Sequence, residues 1–406
     1  MGGGRFAWRG SPVSFLFVTV FVDMIGYGIV VPLLPFYARE YATGALLVGL
    51  LGSLYAAMQF VGGPFLGGLS DRYGRRPVLL TCLLGASLAY LTLGLAQTLT
   101  GLVLAVVLAG GASGTLATAQ AYIADSTSPE DRAKGLGLIG AAFGLGLMAG
   151  PALGGLLSLQ SLGAPAFAAS ALALANTAFG YLILPESHPP RLRRRVPLLR
   201  LNPVSQLAGV LRVRDVRPLL LGVLLLNLAF AGLVSNFPLF ANARFGWGTT
   251  ANAFFFAFVG VCAVATQGIL IGRLQPRFGE ARLVLGGLAL VATNLVFVAL
   301  VPSGAWLYPV VGLLALGAGL AIPGVTSVIS NRTSGLAQGR LMGGIQAILS
   351  VALILGPVLA GLAFDHAGVT APYLLGGSLA ALALLVAARS LSGSGQGERN
   401  LEGSGA

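Results

Sequence analysis

Charge is scarce in this chain. Only 9% of its 406 residues are Asp, Glu, Lys or Arg, where a soluble domain carries about 25%. Lysine is almost missing, with Lys134 alone, and there are two cysteines, Cys82 and Cys262, and two histidines, His188 and His366. Each shortage excludes something. Two cysteines inside apolar runs build neither a disulfide framework nor a zinc site, and they read as inert core residues. Two loop histidines leave no catalytic triad and no metal cluster, so no enzyme is expected, and no cofactor or metal. With 56% hydrophobic residues, a soluble globular domain is excluded as well.

What the chain has is long apolar runs. A spanning helix takes roughly 20 apolar residues, and twelve such segments stand close to 14–38, 45–69, 77–97, 102–124, 135–157, 165–184, 218–241, 249–272, 283–301, 306–330, 341–364 and 370–388. Three longer runs divide at AQTLTG, SLQSLGAPA and VPSGAWLYP, where polar, Gly and Pro residues gather. The first run is too long for a cleavable signal peptide.

The net charge is +12, a balance that in a soluble protein points to nucleic acid. Its placement points elsewhere. With the N-terminus in the cytoplasm, 22 of the 24 Lys and Arg fall on the cytoplasmic side, and only Arg39 and Arg244 face outside. That is the positive-inside pattern, with both termini cytoplasmic and no nucleic-acid partner. The RLRRR run at 191–195 suits contact with anionic lipid. Much Arg, one Lys and abundant Ala, Gly and Leu fit a GC-rich bacterial genome and an inner-membrane location.

The twelve segments form two sixes. The expected organisation is an N-terminal bundle over 1–184, a cytoplasmic linker over 185–217, a C-terminal bundle over 218–391 and a disordered tail over 392–406. The halves echo each other. GGLSDRYGRRPVLL between spans 2 and 3 answers GRLQPRFGEARLVL between spans 8 and 9, with Gly67, Arg72 and Gly74 matching Gly272, Arg277 and Gly279 at a shift of 205. AGPALGGLL in span 5 answers LGPVLAGLA in span 11. Two parallel six-helix halves imply a transporter with its site near the bilayer midplane.

The run FLFVTVFVDMIGYGIVVPLLPF, from Phe15 to Phe36, holds one charge, Asp23. Ten residues past Val13, at ~1.5 Å per residue, Asp23 lies roughly halfway through a ~30 Å hydrocarbon core. Inserting it there costs about 2.5–3.5 kcal/mol. No Lys, Arg or His shares its depth. A carboxyl that is neutral when dry and ionised when wet is suited to carrying a proton; the alternative is an Asp hydrogen-bonded for packing alone.

Three further motifs carry a resemblance. Gly67-x-Leu69-Ser70-Asp71-Arg72-Tyr73-Gly74-Arg75-Arg76-Pro77 resembles the loop 2–3 signature of the major facilitator superfamily. AYIADSTSPEDR at 121–132 is similar to the end of span 4 in its drug:H+ antiporters. Gly146-x-x-x-Gly150-Pro151-x-x-Gly154-Gly155 is similar to the antiporter signature of its exporters, with small residues for close helix contact and Pro151 to bend the helix. Asp23, Gly26, Gly28, Pro32, Leu34 and Pro35 resemble the span 1 pattern of the same group. Two departures accompany the likeness: Val106 stands where that group carries a span 4 Arg, and spans 8 and 9 hold no acid and no His, unlike tetracycline exporters.

The resemblance implies an all-α membrane protein with two pseudo-symmetric six-helix bundles. It implies export of drugs or other small lipophilic molecules by alternating access, in exchange for protons. Asp23 would couple the proton, with proton and substrate competing at or near it. Asp71, Arg72, Arg75 and Asp125 would form a cytoplasmic gate. Tyr55, Gln59, Phe143, Asn227, Phe230, Asn236 and Gln346, amides and aromatics suited to varied apolar molecules, are the expected cavity lining. The partners would be substrate, protons and membrane lipids, with the chain working as a monomer. A solute importer or lipid transporter on the same fold is the alternative. A sensor is the remote one, since the tail carries no soluble domain.

Overall fold

The computed structural model describes residues 12–39, 41, 44–188, 191, 216–266, 270–331 and 338–402. Among these residues there are helices and no strands. The helices are α1 (Pro12–Val30), α2 (Leu34–Arg39), α3 (Ala45–Tyr73), α4 (Arg75–Gly94), α5 (Leu99–Gly111), α6 (Thr115–Ser126), α7 (Pro129–Leu157), α8 (Ala164–Ile183), α9 (Arg217–Phe245), α10 (Thr249–Ala265), α11 (Ile271–Phe278), α12 (Glu280–Leu300), α13 (Leu307–Asn331), α14 (Gln338–Ala367) and α15 (Ala371–Glu402).

Among the described residues eleven segments are long and apolar enough to cross a membrane, and the shorter α10 occupies the place of expected span 8. Local chemistry explains the breaks. Pro32 sits in a 3-10 turn, Val31–Leu33, that separates α1 from α2, and Pro35 lies in the first turn of α2; proline removes a backbone donor and is tolerated at such positions. The three expected division points fall between α4 and α5, α7 and α8, and α12 and α13. Thr98 caps α5 by accepting from the Gly101 N–H at 3.2 Å. Ser128 caps α7 and is followed by Pro129 at the first helical position. Span 4 is not one rod: Ala112–Gly114 interrupt it, so that α6 starts afresh at Thr115.

The chain divides into two compact units. The first comprises residues 1–41, 54–202 and 248–260; the second comprises 42–53, 203–247 and 261–406. In the first, α1 packs on α7 and α8, and α4 on α8, α5 and α6. Its core holds Val13, Leu16, Val20, Met24, Leu79, Tyr122, Ile123 and Ile139. In the second, α9 packs on α14 and α15, and α12 on α13 and α15. The expected linker over 185–217 lies mostly outside the described residues.

The sequence echo is also a structural one. Gly74 and Gly279 each end one helix and start the next, with φ of 109° and 74°. Side-chain-bearing residues rarely adopt such angles, which is why glycine recurs at both turns.

Candidate functional site

Asp23 sits on α1, 8% exposed. Its polar neighbour is Thr115, the first residue of α6. The break in span 4 therefore delivers a hydroxyl, at the start of a helix, beside the buried carboxyl. Tyr55, Tyr90 and Cys82 lie within reach of its charge. Tyr27, one turn along α1, packs its ring 5.9 Å from that of Tyr55. Gly26 makes room for Tyr90, whose ring would lie 3.2 Å from a Cβ at that position. Among the described residues Asp23 enters no ion pair. The site is a carboxyl ringed by hydroxyls and phenols. Thr115, Tyr27 and Tyr90 were not singled out in the sequence; the tyrosines look like ordinary span aromatics.

The glycines of span 5 hold α7 against α1. A Cβ on Gly146 would lie 2.6 Å from the Phe21 carbonyl, one on Gly150 2.7 Å from the Gly28 Cα, and one on Gly154 2.8 Å from the Ile29 carbonyl. Pro151 touches Gly28 from the same side. Gly155 turns the other way, against Ala253 of α10. Close backbone approach of this kind is available only to small residues. Two motifs, with Gly28 and Gly150 122 residues apart, are thus one contact, and it brackets Asp23.

At the α3–α4 turn, Arg75 is buried and bonds three partners through its side chain. Its Nη1 lies 2.6 Å from Asp71 Oδ1 and 2.6 Å from Ser70 Oγ, and its Nε lies 2.8 Å from Asp125 Oδ2. Asp71, Arg75 and Asp125 of the expected gate are therefore together. Arg72 is exposed and stacks on Tyr73, its guanidinium 5.1 Å from the ring centre. Two members were missed in the sequence. Glu186 accepts from the backbone N–H groups of Arg75 (2.9 Å) and Arg76 (3.3 Å); a carboxylate there complements the first turn of α4. His188 Nδ1 lies 3.1 Å from Asp125 Oδ2. The segment PESHPP reads as the start of a charged linker, and only the fold reveals that it closes this cluster.

The expected cavity residues fall in both units. Tyr55 belongs to the Asp23 surroundings, Gln59 is half-buried one turn further along α3, and Phe143 packs on the core of the first unit. In the second unit Asn227 is half-buried, with its Nδ2 donating to the Val223 carbonyl at 2.8 Å. Phe230 is half-buried, and Gln346 is exposed. Asn236 is 0% exposed, and among the described residues neither side-chain polar atom has a hydrogen-bond partner. Val106, in the place of the family's span 4 Arg, is a buried core residue. Among the described residues no group of three or more His, Cys, Asp or Glu is placed to hold a metal.

Comparison with known proteins places this geometry in a family. The sequence profile of the Major Facilitator Superfamily matches residues 16–337. The class C tetracycline resistance protein of Escherichia coli is 37% identical over 344 residues, covering 84% of this chain and 86% of that protein. The class B protein of the same organism is 33% identical over 367 residues, covering 88% and 89%. Among solved structures, the human organic anion transporter MFSD10 (TETRAN) superposes with a TM-score of 0.70 at 25% identity, over 92% of this chain and 98% of that one. The nucleoside transporter NupG reaches 0.75 at 13% identity, over 94% and 98%, which is a likeness of fold. The chain belongs to the Major Facilitator Superfamily: it is a multi-pass membrane transporter with an all-helical fold, and not an enzyme.

Proposed function

We propose that this protein is a proton-coupled exporter of drugs or similar small lipophilic molecules. The observation that carries the reading is its 37% identity, across most of both chains, to a tetracycline resistance protein. The buried carboxyl at Asp23 supplies a chemistry for the coupling. In the cycle a proton from outside neutralises Asp23 and substrate leaves. The proton then departs on the inside, and the restored carboxylate favours a new cationic or polar-neutral substrate. The protein sits in a bacterial inner membrane with both termini in the cytoplasm and works as a monomer. In that orientation the Arg75 cluster, with Asp71 and Asp125, closes the cytoplasmic side, and Glu186 and His188 extend it. Tyr55, Gln59, Asn227 and Asn236 are the residues proposed to meet substrate.

Export of an organic anion is a second reading, favoured by the likeness to MFSD10. Against it stands a buried acid with no ion-paired base among the described residues. Solute import and lipid transport on the same fold compete as well. Inverted membrane vesicles separate these readings. With the lumen acidified, tetracycline, a lipophilic cation and an organic anion are offered from the bath. Accumulation of tetracycline or the cation that collapses with the pH gradient is the expected result. Accumulation of the anion alone, or none that responds to the gradient, would reverse the proposal.

A further inference from the structure

α3 belongs to both units: its first residues, within 42–53, group with the second, and from Leu54 onward it lies in the first. A carboxylate takes part in a contact at each end, its own Asp71 at one and Asp365 of α14 at the other. At the far end Asp71 is held by Arg75. At the start, Asp365 from the last turn of α14 accepts two backbone hydrogen bonds, from Ala45 N at 2.8 Å to Oδ1 and from Leu46 N at 2.9 Å to Oδ2. These are two of the N–H groups that a helix start leaves without partners, and a negative charge there is favourable. The partners are 320 and 319 residues apart in sequence.

The surface below this cap is made of backbone. A Cβ on Gly49 would fall 2.3 Å from the Pro357 carbonyl, and one on Gly361 2.8 Å from the Ala45 carbonyl. Ser53 donates its hydroxyl to the Ile354 carbonyl. At these glycines helix meets helix without a side chain between them, although Val48 and Leu51 of the same stretch are buried; Asp365 itself is exposed. If the contact opens, the carboxylate passes to water and no charge is stranded in the interior. A buried ion pair would part at much greater cost.

We propose that Asp365 is a positioning residue for transport: it holds the first turn of α3 on α14 in one state of the cycle and releases it in another. The inference rests on the transport function proposed above, since transport by alternating access requires helices such as α3 to change partners.

The test uses the purified full-length chain in nanodiscs, where both membrane faces meet the reagent. Ser53 is 7% exposed and faces α14, so Ser53→Cys, in a background lacking Cys82 and Cys262, reports release through its reaction with a water-soluble maleimide. Asp365→Ala removes both acceptors. Leu46→Pro removes one donor at a first-turn position that tolerates proline. Both are expected to speed labelling of the reporter about fivefold, the factor corresponding to loss of one helix cap. Asp365→Asn keeps a capping side chain and is expected to return the rate towards that of the parent. Parent-rate labelling in both the alanine and proline variants, or no rescue by asparagine, would overturn the proposal. If the alanine variant does not fold, the proline and asparagine variants decide it. Labelling needs neither drug nor gradient, so its failure is distinguishable from failure of the export reading.

Discussion

Gly28 of α1 and Gly150 of α7 meet backbone to backbone: a Cβ on Gly28 would lie 3.1 Å from the Gly150 Cα, and one on Gly150 2.7 Å from the Gly28 Cα. The second unit repeats the contact. A Cβ on Gly232 of α9 would approach the Gly356 carbonyl of α14 to 3.6 Å, and one on Gly356 would lie 3.4 Å from the Gly232 N. Gly232 and Gly356 follow Gly28 and Gly150 by 204 and 206 residues. The duplicated sequence therefore encodes a duplicated helix crossing, and in the first unit that crossing lies next to Asp23.

Filling the crossing should cost stability. Gly150→Ala places its methyl against backbone atoms that have nowhere to move, so the loss is expected at about 1–3 kcal/mol. Gly63→Ala is the control, because a Cβ there meets nothing within 4 Å. It should be neutral or stabilising by about 0.5–1 kcal/mol, as expected for Gly to Ala inside a helix. Thermal unfolding of the two variants in detergent measures the difference.

The Arg75 cluster gives a second prediction. Arg75→Ala leaves Asp71 and Asp125 without their shared partner. Both carboxylates are partly exposed, at 38% and 25%, so water takes up part of the loss and about 1–3 kcal/mol is expected. Glu186→Gln keeps its shape but weakens the charge at the start of α4, for about 0.3–1 kcal/mol. A double-mutant cycle between Glu186→Gln and Gly63→Ala should be additive, whereas one between Arg75→Ala and Asp125→Asn should not. Chemical unfolding of the four single variants and two doubles provides the check.

The paired turns give a third. Gly74 and Gly279 hold φ of 109° and 74° with no atom crowding a Cβ at Gly279. Alanine at Gly279 should therefore cost only the backbone penalty of a conformation nearly confined to glycine, about 1–3 kcal/mol. Equal stability of Gly279→Ala and the parent in a thermal melt would contradict that conformation.

Much of this was legible in the sequence because the signals are local. Span lengths, the dividing clusters, the lone acid in span 1 and the glycine spacing of span 5 each lie within about twenty consecutive residues. What was not legible depends on helices distant in sequence coming together. Thr115 is an unremarked residue until Ala112–Gly114 break the helix and set it beside Asp23. Glu186 and His188 sit in a stretch whose composition says linker, yet they complete the cluster built by Asp71, Arg75 and Asp125. Asp365 lies at a helix end, where an acid usually means solvent, and its partner is 320 residues away. Arg72 shares a motif with Asp71 and Arg75, but a helix turns 100° per residue, and this carries it to the outside face. Span 8 reads as one run over 249–272; α10 covers Thr249–Ala265 of it, and residues 267–269 lie outside the described residues.

The central claim is that Asp23 couples proton movement to export. Proteoliposomes with an acid interior, given tetracycline or a lipophilic cation from outside, test it most directly through lumenal pH, with the parent protein beside Asp23→Asn. The account predicts substrate-triggered proton efflux in the parent, and none in the variant while substrate binding persists. Proton efflux of equal size in Asp23→Asn would contradict it.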